Sequence, residues 1–161
     1  IVPVFVRKVN FLNYPVDFNL KLFGTRLFGK NKTFRGLILG IFGSIIVVLL
    51  QNFLYRYEIF FDISLVNYNL INLLGFGFLV GFSVLFGDLS GSFIKRRLNF
   101  KPGEHFFILD QINGGFGFGL IIILPYFRSW SLFLWVILFW FIGHLVIKYM
   151  GYLLGLYKEK I

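Results

Sequence analysis

The chain has 161 residues, of which 58% are hydrophobic and only 14% charged, and its 16 lysines and arginines outnumber seven acids to give a formal charge of +9. Soluble domains carry about 25% charged residues, so this composition excludes a water-soluble globule and indicates an integral membrane protein. The positive charge therefore predicts basic loops that set topology and bind anionic lipid headgroups, and nucleic acid is not an expected partner.

The N-terminal part predicts the end of a membrane helix followed by a basic loop. Ile1–Val6 is apolar and begins with Ile, which predicts the tail of a truncated transmembrane helix, with a short interfacial strand or turn as the alternative. Seven cations but one acid, Asp17, occur between Arg7 and Arg35, so the positive-inside rule predicts a cytoplasmic loop. The loop also contains glycines, Asp17 and Thr33, which are typical of tight turns. A basic loop that only anchored the helix in acidic lipid would not need them.

Four apolar runs approach the roughly 20 residues that a helix needs to cross a bilayer. They are Phe34–Leu54, Leu70–Phe86, Ile112–Phe127 and Ser131–Met150. The first carries Gly36, Gly40 and Ser44 at intervals of four, a small-residue stripe typical of close helix packing. The predicted fold is an all-α integral membrane protein, a single domain over residues 1–161. It is a bundle of four complete transmembrane helices plus the tail of a truncated N-terminal one, with two cytoplasmic motif loops.

Two acids bracket a basic stretch between the second and third spans. Asp88 follows one apolar run, Asp110 precedes the next, and Lys95, Arg96 and Arg97 lie between them. A carboxylate at a membrane edge is costly without a partner, and such acids are functional candidates. Mg²⁺ uses one or two carboxylates together with substrate phosphates, while Lys and Arg hold the remaining phosphate oxygens. We therefore predict that this basic loop forms a phosphate-binding site in which Asp88 and Asp110 bind Mg²⁺.

The third span opens with a glycine-rich run from Asn113 to Gly119. Glycine costs about 1 kcal/mol relative to alanine in a helix, and it permits irregular backbone or very close packing. Irregular backbone survives in a membrane only where it lines a cavity or is buried in protein. We therefore expect a cavity next to Asp110. His144, in the last span, is favoured as a structural histidine over a ligand.

The distribution of cations predicts the topology. Seven lie in the first loop, four between Lys95 and Lys101, and three from Lys148 onward, leaving Arg56 and Arg128 for the other side. This bias predicts a multi-pass protein of the cell membrane with both motif loops and the C-terminus in the cytoplasm.

Two stretches resemble the CDP-archaeol synthase family. The first motif segment, Pro15–Gly36, resembles that family's first cytoplasmic loop in its Pro-x-Asp, its paired glycines and its closing Gly-x-x-Lys-Thr-x-Arg-Gly. The second motif segment, Gly87–Gln111, resembles the second loop through GDLSGSFIKRR and Leu-Asp-Gln, and it is also similar to the signature of bacterial phosphatidate cytidylyltransferases. After the Lys-Arg pair it departs from the bacterial signature, which favours the archaeal type.

The resemblance implies a reaction in which an isoprenoid glycerol phosphate attacks the α-phosphorus of CTP, with Mg²⁺, to give a CDP-activated lipid and pyrophosphate. It implies metal binding by Asp88 and Asp110 and a catalytic role for these acids and Lys95. Asp17, Arg26 and Gly29 are expected to shape the first segment. The side chains expected to contact substrate are Ser90, Ser92, Lys95, Arg96, Arg97, Gln111, Arg26, Lys32, Thr33 and Arg35.

Several alternatives stay open at this point. A bacterial-type enzyme making CDP-diacylglycerol would use the same motif. A degenerate, non-catalytic membrane subunit would resemble the motif without having the activity. A small transporter would place its charges near the midplane of broken helices, often with internal repeats, and no repeat is visible here. An alcohol phosphotransferase would carry a helical signature of several acids, which is absent. The expected partners are CTP, a membrane lipid phosphate and the bilayer, and a homo-oligomer remains open.

Overall fold

The structure is a computed structural model that describes residues 12–101, 104 and 106–155, and the expected helix tail at Ile1–Val6 lies outside them. A short hairpin of strands β1 and β2 precedes the helices. The elements are β1 (Lys21–Leu22), β2 (Thr25–Arg26), α1 (Phe34–Leu54), α2 (Glu58–Ile63), α3 (Leu73–Arg97), α4 (Phe107–Phe118), a π-helical segment (Gly119–Phe127) that continues α4, and α5 (Trp130–Leu153).

Within this described part, four helices are long and apolar enough to cross a membrane: α1, α3, the joined α4 and π-helical segment, and α5. At about 1.5 Å per residue, helices of this length cover the roughly 30 Å of a hydrocarbon core. The predicted all-α membrane fold with four complete spans is therefore confirmed. The short helix α2, between α1 and α3, was not predicted.

The distribution of polarity is the reverse of that in a soluble protein. Large apolar side chains such as Phe42, Leu134 and Phe139 are 60–65% exposed on the outer faces of the helices. Among the residues that the structure describes, the buried polar side chains are Asp17, Ser83, Ser92, Lys95, Arg96 and Gln111. An apolar exterior of this extent requires a bilayer around it, because water would not tolerate contiguous patches of that size.

Helices α1 and α3 pack antiparallel through small residues. The Ser44 hydroxyl lies 2.7 Å from the carbonyl oxygens of both Ile41 and Gly77, so one donated hydrogen is shared between its own helix and α3. A Cβ on Gly81 would come 2.9 Å from the Cα of Ile41, which leaves no room for a side chain. Gly40 and Ser44 of the predicted stripe thus serve packing, as their spacing predicts, whereas a Cβ on Gly36 would contact only the Thr33 side chain within the described part of the chain.

The glycine-rich run packs α4 tightly on both neighbours and remains regular helix. A Cβ on Gly117 would lie 2.6 Å from the backbone nitrogen of Gly87 on α3, and one on Gly115 would lie 2.6 Å from the Trp140 ring of α5. The irregular backbone begins only at Gly119, in the π-helical segment that contains Pro125. The glycines therefore permit close packing rather than an irregular cavity wall.

The predicted basic loop after Asp88 is instead the last turns of α3. This helix runs from Leu73 to Arg97, with Asn72 as its N-cap accepting from the Gly75 N–H, and it ends in three cations. Cations are favourable at a helix C-terminus because they face the negative end of the helix dipole. The connecting loop is correspondingly short, and the antiparallel order of spans places the first motif segment, the end of α3 and the start of α4 at one end of the bundle.

Candidate active site between the motif segments

Asp17 organises the first motif segment. Its buried carboxylate accepts from the Arg26 guanidinium at 2.7 Å and from the backbone N–H groups of Gly29 at 3.0 Å, Asn19 at 3.1 Å and Phe28 at 3.3 Å. Burial alone raises the pKa of Asp17, but these hydrogen bonds to the ionised form outweigh it and lower the pKa to about 2. The segment is therefore folded around a buried anion.

A hairpin docks the first segment onto α3. Phe23 and Gly24 form its two-residue turn, both with positive φ, 50° and 80°, as type I′ turns require. Arg97 donates to the carbonyl oxygens of Leu22 and, at 2.9 Å, of Arg26. Arg26 and Arg97, both predicted to contact substrate, thus have guanidinium groups that bind the protein's own loop.

A cavity of about 190 Å³ lies between the two motif segments. Its lining residues are Phe28, Gly29, Asn31, Lys32, Asp88, Ser92, Lys95, Arg96, Glu104 and Asp110. Residues Asp88, Ser92, Lys95 and Arg96 share one face of α3 because positions i, i+4, i+7 and i+8 align along a helix. A helix was not predicted for this stretch, and it is the helix that places these four side chains on one wall of the cavity.

Two ion pairs join the elements that line this cavity. The Lys32 ammonium donates to Asp88, linking the first segment to α3. Lys95 donates to the Asp110 carboxylate at 2.8 and 2.9 Å, linking α3 to α4. Asp110 also accepts from the Phe106 N–H at 2.9 Å. The three predicted catalytic residues therefore line one cavity, with the Asp88 side chain 38% and the Asp110 side chain 22% exposed.

A second cavity of about 490 Å³ shares Asn31, Lys32 and Asp88 with the first. Its cationic part holds Lys30 and Arg35, and its opposite part is apolar. The remaining lining residues are Asn13, Thr33, Gly36, Leu37, Leu39 and Leu85. Thr33 also caps α1, where its hydroxyl accepts from the Gly36 N–H. The cavity thus runs from polar loop to membrane-facing helix.

Besides Arg26 and Arg97, two further predicted residues lie outside both cavities. Ser90 lines neither of these cavities, because its position on α3 lies about 200° around the helix from Asp88. Gln111 is fully buried behind Asp110, where its side-chain oxygen contacts Nδ1 of His144 on α5. His144 thus has a structural contact, as expected. The smaller cavity also includes Asn31, which precedes Lys32 in the sequence, and Glu104, whose backbone carbonyl accepts from Lys95. The sequence argument overlooked both.

The donor set fits a hard divalent cation held jointly with a ligand. In the described part of the chain, no three or more His, Cys, Asp or Glu side chains converge on a point that could hold a metal ion. Asp88 and Asp110 nevertheless line the same cavity. Mg²⁺ is bound in proteins by one or two carboxylates plus substrate phosphates, so a pair of carboxylates suits such a shared ion.

The comparisons with known proteins agree with this geometry. Residues 9–160 match the CarS-like family, described as CDP-archaeol synthase. The chain belongs to this family. Membership confirms the family and the class of enzyme expected from the two motif segments. It also favours that reading over the bacterial-type enzyme and the transporter.

Individual relatives carry the same description. The CDP-archaeol synthase of Methanocaldococcus jannaschii is 33% identical over 147 residues, 88% of this chain and 80% of the relative. That of Saccharolobus islandicus is 34% identical over 143 residues, 87% of this chain and 77% of the relative. That of Archaeoglobus fulgidus is 37% identical over 100 residues, 61% of this chain and 54% of the relative. No solved structure matches the chain.

Proposed function

We propose that this protein is a CTP-dependent cytidylyltransferase of phospholipid biosynthesis. It converts a membrane glycerol phosphate lipid, of the 2,3-digeranylgeranylglyceryl 1-phosphate type, to its CDP-activated form and releases pyrophosphate. The observation that carries the proposal is the pair of adjoining cavities. Asp88 and Lys32 line both of them, so a donor in one and an acceptor in the other would meet there.

The smaller cavity suits the triphosphate of CTP. Its described lining includes three cations, Lys32, Lys95 and Arg96, but also three acids, Asp88, Glu104 and Asp110, so these described residues carry no net charge. Asp88 and Asp110 would hold a divalent cation such as Mg²⁺, which would supply the positive charge that a polyphosphate requires and neutralise its oxygens. Lys95 and Arg96 donate to the remaining phosphate oxygens and fix the orientation of the chain of phosphates.

The larger cavity suits the lipid phosphate. Lys30 and Arg35 lie where a phosphate would enter from the loop side, and Leu37, Leu39 and Leu85 continue the wall toward the hydrocarbon core. A lipid could therefore bind with its phosphate among the cations and its chains against the apolar helices. Lys32, between the two cavities, offsets the repulsion between acceptor and donor phosphates.

The reaction needs no nucleophile from the protein. An oxygen of the lipid phosphate attacks the α-phosphorus of CTP, the bond to the β-phosphate oxygen breaks, and pyrophosphate leaves with that electron pair. Such transfers are accelerated mainly by positioning and charge neutralisation. The ion pairs between three separate elements would provide the positioning by holding the cavity in shape, and a bound divalent cation would provide the charge neutralisation.

The same end of the bundle is proposed to face the cytoplasm, where CTP is made. Among the described cations, Arg56 and Arg128 lie at the opposite end. The other described lysines and arginines cluster around the motif segments or the end of α5. This asymmetry follows the positive-inside rule.

The test is pyrophosphate release from CTP by the purified protein with Mg²⁺ and digeranylgeranylglyceryl phosphate. The Asp88→Asn and Asp110→Asn variants should each lose turnover while their thermal unfolding midpoints stay near that of the wild type. Asp62→Asn, at an exposed position of α2 on the far end, is the matched control and should retain full activity. Activity near wild type in either site variant would reject the assignment of these two acids.

A further inference from the structure

Asn113 connects the two acidic positions of the site. It lies on α4, one turn beyond Asp110 and therefore on the same side of that helix. Its side-chain amide nitrogen lies 3.5 Å from Oδ1 of Asp88 on α3, a long hydrogen bond. It is thus a polar link from α4 to the carboxylate of Asp88, and the proposed function gives it no role.

The direction of the Asn113 amide follows from its second contact. Its side-chain oxygen accepts from the Gly114 N–H at 2.7 Å. A backbone N–H can only donate, so the oxygen must occupy that position. The NH₂ group is thereby turned toward α3, where the Asp88 carboxylate can only accept in its ionised form.

Two glycines on α3 make room for Asn113. A Cβ on Gly91 would lie 2.8 Å from the Asn113 amide nitrogen and 3.0 Å from its Cβ. A Cβ on Gly87 would collide with the Asn113 carbonyl oxygen. These glycines flank Asp88 along the helix, and together they form the slot through which the amide reaches it.

The two oxygens of Asp88 are therefore held from opposite sides. Lys32, on the first segment, donates to Oδ2, and Asn113, on α4, donates to Oδ1. On the proposed function, a bound polyphosphate would compete with Asp88 for the Lys32 ammonium. Asn113 is part of the bundle and remains in place, and as a neutral donor it leaves the charge of the carboxylate intact.

We propose that Asn113 is a positioning residue, which holds the Asp88 carboxylate in the orientation that binds the divalent cation once Lys32 engages phosphate. This rests on the proposed function. A hydrogen bond to a charged group contributes enough for its loss to weaken cation binding about tenfold. Gly91 shares the role indirectly, because it admits the amide.

The experiment titrates Mn²⁺ into purified protein with CTP present and measures free Mn²⁺ by electron paramagnetic resonance, independently of turnover. We expect Asn113→Ala to bind Mn²⁺ about tenfold more weakly, with a wild-type unfolding midpoint. Gly91→Ala should have a similar effect, since the new Cβ displaces the amide. The double variant should be little worse than either single variant, because both remove one interaction. Gly143→Ala on α5, where a Cβ meets open space, is the control.

The possible results separate the two proposals. Mn²⁺ binding by Asn113→Ala equal to that of the wild type would overturn the positioning role, as would a wild type that binds no Mn²⁺ with CTP. Strictly additive losses in the double variant would also overturn it, by showing independent packing defects. If Asn113→Ala binds Mn²⁺ about tenfold more weakly than the wild type, yet no lipid phosphate is activated, the positioning role stands and the proposed function fails.

Discussion

Replacing Asp17 by Asn tests whether a buried anion holds the first motif segment together. The substitution keeps the size of the side chain but removes the charge that Arg26 and three backbone N–H groups stabilise. The pKa of Asp17 falls from 3.8 to about 2 in the folded protein despite the opposing effect of burial. By the relation between pKa and free energy, the folded segment favours the ionised form by about 2 kcal/mol.

A loss of that size should be visible as faster local opening. About 2 kcal/mol corresponds to roughly a 30-fold change in an opening equilibrium. Hydrogen exchange in detergent at pH 7 should therefore be about 30-fold faster in Asp17→Asn at the amides of Phe28 and Gly29, which donate to the carboxylate. The amides of α3 should exchange as in the wild type. Asp62→Asn is the control, since that carboxylate is exposed at the other end of the bundle.

The pH dependence of the wild type provides a second readout. A carboxylate whose folded pKa is lowered contributes stability that is present above its unfolded pKa and is lost as pH falls toward the folded value. Protection of Phe28 and Gly29, corrected for intrinsic exchange, should thus decline between about pH 4 and pH 2, bounded by the two pKa values. Unchanged protection in Asp17→Asn at pH 7 would refute the reasoning.

Two further substitutions probe the cavity and the bundle. Lys95→Ala should raise the KM for CTP at least tenfold, because it removes a charge-assisted phosphate contact, whereas the control Lys101→Ala should leave this KM unchanged. If the KM of Lys95→Ala equalled that of the wild type, Lys95 would not contact CTP and its charge would serve only to orient the protein in the membrane. Gly81→Val should lower the unfolding midpoint through overpacking that costs about 1–3 kcal/mol, because the new Cβ would meet the Ile41 backbone. The control Gly143→Val places its side chain in open space and should keep the wild-type midpoint. Equal midpoints for the two variants would contradict the close contact between α1 and α3.

Hydrophobic patterning was sufficient to predict the spans. The predicted and observed bounds of α1 are both Phe34–Leu54, because the run has sharp polar limits and Thr33 caps its start. The end of α3 was missed because Ser90, Ser92 and the three cations read as loop by composition. A continuing helix satisfies their backbone groups and places the cations at its negative end.

The site could be predicted as a set of residues but not as a geometry. The side chains of Asp88, Lys95 and Asp110 were expected to lie close together because all three belong to the second motif segment, and they line one cavity. The pairing of Asp88 with Lys32 could not be foreseen, since it depends on how the first segment docks on α3 through Arg97. The metal ligands, the substrate contacts, the single-domain boundary and the homo-oligomer stay predictions.

The central claim is tested most directly by supplying the purified protein with CTP, Mg²⁺ and either digeranylgeranylglyceryl phosphate or phosphatidic acid, and measuring pyrophosphate and CDP-lipid together. We predict equal amounts of both products with the isoprenoid lipid, and much slower turnover with the acyl lipid. Preferential turnover of phosphatidic acid would contradict the proposed acceptor. The absence of products with either lipid, from protein that remains folded, would contradict the proposed activity.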